Sequence, residues 1–419
     1  FFRKVFRTFA ADTNKKENGL YRSYIAELTR MVHLPVNSPV SYCGFAVNAG
    51  TRDENEDEFG LAHFVEHMIF KGTEKRKAWH ILNRMENVGG ELNAYTTKEE
   101  TFVYSIFMEE NFGRAFELLT DLVSIPIPKQ EIEKEVDVIL DEINSYEDSP
   151  SELIFDEFEN LLYKGHALGH NILGDEESLL RFDSESGRSF MRRFYAPENM
   201  VFFSMGRKDF KKILKSAESA LSDISFPMAE GPEAPDPIEA CVRQIHKDTH
   251  QAHVLIGGRA FSMHDKKRIP LFLLNNILGG PGMKPLEVSL REKHGLVYNV
   301  ESNITSYTDT GLASIYFGTD PKNREKAMRL VHKELPLRDV KLSATQLAAA
   351  KKQVIGQLGV SGDNREGLFL GLGKSYLHYN RYDTLPEVFA QIEKITAGQI
   401  LEVANEVLAP ERLFCLIYE

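Results

Sequence analysis

The sequence predicts an α+β chain of two similar domains, each a mixed sheet packed with helices, related by internal duplication. Three observations carry this. At 419 residues the chain exceeds what one hydrophobic core organises. Both halves read strand, helix, strands, helices, over roughly 200 residues each, an ordinary domain size. Between them "FPMAEGPEAPDPIEA" carries Pro227, Pro232, Pro235 and Pro237 among acids, which rules out a regular element. The predicted division is a first domain at 1–225, a linker at 226–240 and a second domain at 241–419.

The elements follow in order. "RMVHLPV" and "SYCGFAVNAG" read as strands, apolar and β-branched runs bounded by Asn, Ser and Gly. "TRDENEDEFG" reads as a solvated acidic turn. Helical periodicity starts at Leu61. "ELNAYTT" and "ETFVYSIFM" alternate like paired strands, and "FGRAFELLTDLV" returns to helical spacing. Residues 129–147 make a long helix, with Ile132, Val136, Ile139 and Ile143 at three- and four-residue steps. Ser149, Pro150 and Glu152 predict a capping box opening the next helix, whose Phe155, Phe158 and Tyr163 read as core. "VFFSMG" is a strand. In the second half "AHVLIGGRAF" is a strand, "IPLFLLNNILGG" a helix, "GLASIYFG" a strand, with helical patterns at 321–335 and 343–358. The N-terminal "FFRKVFRTFAA" is basic and amphipathic. It reads as a short surface segment, with an organellar transit segment as the alternative.

Composition narrows the function. A net charge of −12 argues against nucleic acid as partner and is compatible with a basic peptide. Charges interrupt every apolar run before the ~18 residues of a membrane span, so no membrane partner is expected. Cys43, Cys241 and Cys415 are few, distant and odd in number, which speaks against a disulfide framework or a thiolate metal site.

The chemistry concentrates in "GLAHFVEHMIFKGT". On a helix, residues four apart lie ~40° apart around the axis and one turn along it, so His63 and His67 can grip one ion. Neutral imidazole is a preferred zinc ligand, and Glu66 sits beside His67. This is the H-x-x-E-H, or inverzincin, order. A third ligand is expected from the acidic helix, where Glu135 and Glu142 lie seven residues apart on one face. Glu142 is nominated as ligand and Glu135 as its supporter, although local spacing alone permits the reverse. "LFLLNNILGG" holds no His or Glu, so the chemistry is not duplicated. His166 and His170 read as loop residues, since glycines at 165 and 169 oppose a helix. His246, His250 and His253 read as surface or substrate-facing histidines.

"NAGTRDE", "GLAHFVEHMIFKGT", "GGELNAYTTKEETFVYS", "EVDVILDEINSYEDSPSELIFDEF" and "LREKHGLVYNVESNITSYTDTGLASIYFGT" together resemble the pitrilysin/insulinase family of zinc metallopeptidases. The likeness covers nearly the whole chain from about residue 30, and is to the short two-domain members such as the mitochondrial processing peptidase β subunit and bacterial relatives. The resemblance implies a clam-shell half of two α/β domains, closing with a second chain around a chamber. It implies Zn2+ held by His63, His67 and Glu142, with Glu66 as general base and Glu135 in support. It implies that Arg291 and Tyr298 contact substrate, from the opposite subunit of a homodimer, and that Asn93 and Ala94 lie on an edge strand where the peptide docks. The segment "GGPGMKPLEV" departs from the family pattern.

The expected function is a zinc-dependent endopeptidase acting on short or unfolded peptides, most simply in a bacterial cytoplasm, with an organellar matrix as the alternative. The competing reading is a non-catalytic structural or peptide-binding subunit on the same fold.

Overall fold

The computed structural model describes residues 15–17, 19–25, 29–124, 127–129, 131–221, 233–280, 284–335 and 342–419. The basic segment at 1–11 and residues 226–232 of the expected linker lie outside them. Residues 233–241 form no regular element, as their prolines require.

The first unit is built on a seven-stranded mixed sheet, order β1-β2-β3-β7-β4-β6-β5. Its strands are β1 (Lys15–Glu17), β2 (Leu20–Ile25), β3 (Thr29–Pro35), β4 (Val40–Val47), β5 (Glu91–Thr96), β6 (Thr101–Met108) and β7 (Met200–Gly206). Only β3 and β7 run parallel; the other neighbours are antiparallel. Strand β4 is apolar almost without interruption because both its faces are covered. Cys43, Phe45 and Val47 face a core shared with α1 (Leu61–Ile69), α2 (Ala78–Glu86), α3 (Phe112–Leu122), α4 (Ile132–Glu147), α6 (Ser184–Phe194) and α7 (Phe210–Leu221). Tyr42 and Ala46 face a second cluster with α11 (Arg365–Tyr379).

The second unit holds a five-stranded mixed sheet, order β10-β11-β9-β12-β8. Its strands are β8 (Val242–Ile245), β9 (Ala252–Ala260), β10 (Val297–Ser306), β11 (Gly311–Thr319) and β12 (Phe414–Tyr418). Here β8 and β12 are parallel and the other neighbours antiparallel. The order and sense of these five strands repeat those of β3, β7, β4, β6 and β5. The duplication expected from the element order is therefore present in the topology. Helices α5 (Pro150–Leu162), α8 (Arg268–Gly279), α9 (Arg324–Glu334), α10 (Ala344–Ser361), α12 (Leu385–Glu393) and α13 (Ala397–Val407) belong to this unit.

The compact units are not contiguous halves. The first comprises residues up to Ile143, Asn171–Pro232 and Asn364–Tyr382; the second takes Asn144–His170, Glu233–Asp363 and Asp383–Glu419. A single cut at 226–240 thus misplaces two segments. Helix α5 joins the second unit because Ile154, Phe158 and Leu162 bury against Leu255, Phe414 and Leu416 of its sheet. Helix α11 joins the first because Phe369 stacks on Phe203 at 4.4 Å, and Arg30 donates to the carbonyls of Tyr376 and Leu377. At its far end His378 and Lys374 both bond the buried Glu100, each at 2.5 Å.

Local expectations differ in three places. Ser149 stands at the N-cap of α5, but its side chain makes no cap bond, so no capping box forms. "TRDENEDEFG" is not a solvated turn: Arg52 and Glu54 are buried. His253 is buried on β9 and bonds Tyr316 at 2.8 Å, unlike the exposed His246 and His250.

Candidate metal centre

Helix α1 begins where a side-chain cap is impossible. Its N-cap is Gly60, at φ 91°. Gly60 packs against Gly174, at φ 76°, where an added Cβ would stand 2.2 Å from the Phe59 carbonyl oxygen. Two glycines are needed for that approach. The acceptor for the helix's free N–H groups comes from outside it. Glu54 Oε2 receives the Gly60 N–H at 2.9 Å and Oε1 receives the Ala62 N–H at 2.7 Å. The buried Arg52–Glu99 pair, at 2.6 Å, holds the same loop. Leu61, Phe64, Val65, Met68 and Ile69 are fully buried and fix the helix rotation. That rotation leaves His63, Glu66 and His67 on the remaining face.

The third member comes from α4. Glu142 Oε2 lies 3.6 Å from His67 Nε2 and 3.9 Å from His63 Nε2. Ligand atoms of His63, His67 and Glu142 all fall within 4.8 Å of one another. A tetrahedral zinc site with bonds of ~2.0–2.1 Å places its donors about 3.3 Å apart, so the two Glu142–imidazole distances need only a slight contraction. Burial pushes His63 down to about 3, with His67 adding to the effect, so this imidazole is neutral and keeps a lone pair for a metal. Its ring lies 4.6 Å from that of His67. The two-His, one-carboxylate donor set and its spacing fit a zinc ion.

Glu135, two turns before Glu142, performs a different task. It is 3% exposed, and its Oε1 accepts from His67 Nδ1 at 2.8 Å while Oε2 meets Lys71 Nζ at 2.6 Å. Burial raises this carboxyl, but the His67 and Lys71 bonds outweigh it and hold the group below its ordinary range. A proton on Nδ1 directs the lone pair of Nε2 toward Glu142. His63 has no such partner: its Nδ1 is buried without a hydrogen bond among the described residues. Packing, not a second carboxylate, orients it.

Glu66 is half-buried beside the trio and bonds the side chain and backbone of Thr96 on β5. Burial raises its carboxyl above the usual range, and Glu142 adds to this against the lowering by Thr96 and His67. Among the described residues strand β5 pairs only with β6 and forms the sheet edge. Asn93 and Ala94 lie on it, half-buried. Arg291 and Tyr298 come together on the second unit. Both are exposed, with the guanidinium carbon 5.6 Å from the ring centroid and Arg291 bonded to Glu287 at 2.6 Å.

Sequence reading missed Glu54, Lys71 and Thr96. A signal existed for Glu54 only: a helix opening on glycine must find its acceptor elsewhere, and the acids before it were the nearest source. Among the described residues no second metal-competent cluster forms, and His166 and His170 flank a short turn at Ala167–Gly169.

A paired-histidine helix facing an acidic helix brings three metal-competent side chains together in the first unit. Residues 31–176 match the insulinase family (peptidase family M16), and residues 181–354 match the peptidase M16 inactive domain. The uncharacterized zinc protease YmxG of Bacillus subtilis (strain 168) is 30% identical over 383 residues, covering 89% of this chain and 92% of that protein. An uncharacterized zinc protease of Rickettsia felis is 32% identical over 365 residues, covering 86% and 88%. A crystal structure of a protease from Helicobacter pylori superposes with TM-score 0.88 at 18% identity, over 96% of this chain and 99% of that one. A structure titled as the peptidase M16 inactive domain from Pseudomonas fluorescens gives 0.87 at 19%, over 95% and 97%. The chain belongs to the insulinase (peptidase M16) family.

Proposed function

We propose that this chain is a zinc-dependent endopeptidase that hydrolyses short or unfolded peptides. The observation that carries the reading is the convergence of His63, His67 and Glu142 donor atoms beside Glu66. Zinc, the metal in the names of the curated relatives, would be held by these three side chains. When bound it supplies Lewis acidity to water and to a peptide carbonyl.

The chain's own groups do the rest. Glu66 takes a proton from the attacking water while its oxygen bonds to the carbonyl carbon. The same carboxyl then delivers that proton to the leaving amine as the C–N bond breaks, so one water is consumed per bond. Burial raises this carboxyl above its ordinary range, which makes it a stronger base for the first step, and the proton it gains is the one it returns in the second. Glu135 keeps His67 oriented. The unpaired edge of β5 accepts an extended peptide as an added strand, with Asn93 and Ala94 along it. Main-chain pairing gives affinity with little side-chain selectivity. Arg291 and Tyr298 are proposed to bind the peptide from the second chain of a homodimer. The intact ligand trio favours this over a non-catalytic subunit.

No described helix is long and apolar enough to cross a membrane. The three cysteines are free, which is compatible with the proposed cytoplasmic setting.

The test is Glu66→Gln with zinc analysis and mass-spectrometric mapping of a peptide library. Zinc should be retained and cleavage lost; unchanged cleavage overturns the assignment. Glu142→Gln should lose the metal. Mixing Glu66→Gln with Arg291→Ala chains should restore part of the activity if Arg291 acts in trans, and no recovery rejects the composite site.

A further inference from the structure

The first unit carries a hollow of about 250 Å³ walled by Lys75, Arg76, Trp79, His80, Arg84 and Arg114. None of these side chains serves the metal centre or the β5 edge. His80 and Arg84 lie four residues apart on one face of α2, Arg76 stands just before its N-cap Lys77, and Ile81 and Met85 turn into the core. Arg114 is contributed by α3.

Charge and shape in this hollow are unusual for the chain. Three of its four cations share two carboxylates. Glu117 is bonded by Arg76 at 2.7 Å and also by Arg84. Asp121 is bonded by Arg76 and, at 2.8 Å, by Thr73, with Lys75 at 3.9 Å. Arg114 donates to the Arg84 carbonyl and has no carboxylate within 4.0 Å among the described residues. Positive charge therefore exceeds negative locally, in a chain whose net charge is −12. Against these cations stands an exposed flat surface. Trp79 is 58% exposed and its ring lies 3.8 Å from that of His80. Core packing does not account for an indole left mostly in water, against His80 and beside Arg114, a guanidinium with no carboxylate partner among the described residues.

We propose that this hollow binds a mononucleotide, its base against Trp79 and its phosphate on Lys75, Arg84 and Arg114. Guanidinium groups match phosphate oxygens bidentately, and an aromatic face accepts any base. A bare anion would use the cations and leave the indole without function. A nucleic-acid strand is disfavoured by the negative charge of the whole chain. The inference stands independently of the peptidase reading.

Trp79 is the only tryptophan in the chain, so its fluorescence reports on this hollow directly. The full chain is titrated with AMP, with inorganic phosphate and adenosine as separate probes, and AMP binding is repeated by calorimetry. AMP should quench saturably, and each fragment alone should bind about tenfold more weakly or worse. Lys75→Gln, on a side chain 75% exposed, and Arg114→Gln should each weaken AMP by about tenfold, with thermal midpoints unchanged for the first. Linear quenching without saturation, unchanged affinity in both variants, or tighter binding of an oligonucleotide or an acidic peptide than of AMP overturns the proposal.

Discussion

Replacing Glu135 by glutamine isolates the role of a side chain that is not a proposed ligand. The substitution preserves volume and leaves one oxygen to accept from His67 Nδ1, now at 2.8 Å from Glu135 Oε1. It removes the charge that makes this bond strong, and it leaves the Lys71 ammonium, at 2.6 Å, facing a neutral amide. Charge-assisted bonds contribute ~1.5–3 kcal/mol and neutral ones about 1, so roughly 0.5–2 kcal/mol of orientation and basicity is lost at His67. Outer carboxylates behind ligating histidines typically govern metal affinity by ~10–100-fold, or ~1.4–2.7 kcal/mol. The expected result is a zinc dissociation constant raised within that range, measured by competition with a chromophoric chelator. Circular dichroism should show the fold retained. Glu133→Gln, exposed on the same helix, is the control and should leave affinity unchanged. Wild-type affinity in the Glu135→Gln chain would refute the argument that this carboxylate sets the His67 ligand.

Three further outcomes are expected. His33 is buried on β3 with its Nδ1 2.9 Å from Ser204 Oγ, and burial pushes it down to about 4 from an unfolded value near 6.5. The unfolded chain binds the proton first, so this contribution is full above pH ~6.5 and is lost as pH falls toward 4, about 3 kcal/mol in all; urea unfolding from pH 7 to 4 should show a shallower loss in His33→Gln, and parallel curves would reject the assignment. Glu54→Ala leaves the Gly60 and Ala62 N–H groups without their acceptor, at ~1–3 kcal/mol each, and Glu54→Gln should recover about half, read as thermal midpoints. Gly174→Ala combines a positive φ of 76° with a Cβ 2.2 Å from the Phe59 oxygen and should cost ~2–5 kcal/mol, with zinc retention falling because the start of α1 must shift; a folded chain of wild-type stability would contradict the close approach.

The helices and strands legible in the sequence were those whose side-chain pattern reports a local environment. Strand β4 and helix α1 read correctly because both are buried along their length or along one stripe. The acidic turn before α1 read wrongly, since acidic composition reads as solvated and only the glycine that opens the helix signals that Glu54 is drawn inward by N–H groups six and eight residues later. Strands β8, β10 and β12 lack distinctive turns or alternation; β10 is placed by pairing with β11, β12 by pairing with β9, and β8 by pairing with β12.

Spacing by itself determined that His63 and His67 share a helix face with Glu66 alongside, because four-residue geometry is a property of the helix alone. It also put Glu135 and Glu142 on one face of α4, but could not rank them: the order rested on family likeness. The folded chain separates their environments, one carboxylate sealed behind His67 Nδ1 and Lys71, the other half-exposed beside both Nε2 atoms. That difference arises from how deeply each turn of α4 enters the core. The allocation of α5 and α11 to units was likewise beyond the sequence. An amphipathic helix encodes that it needs an apolar surface, and only packing decides which sheet supplies it.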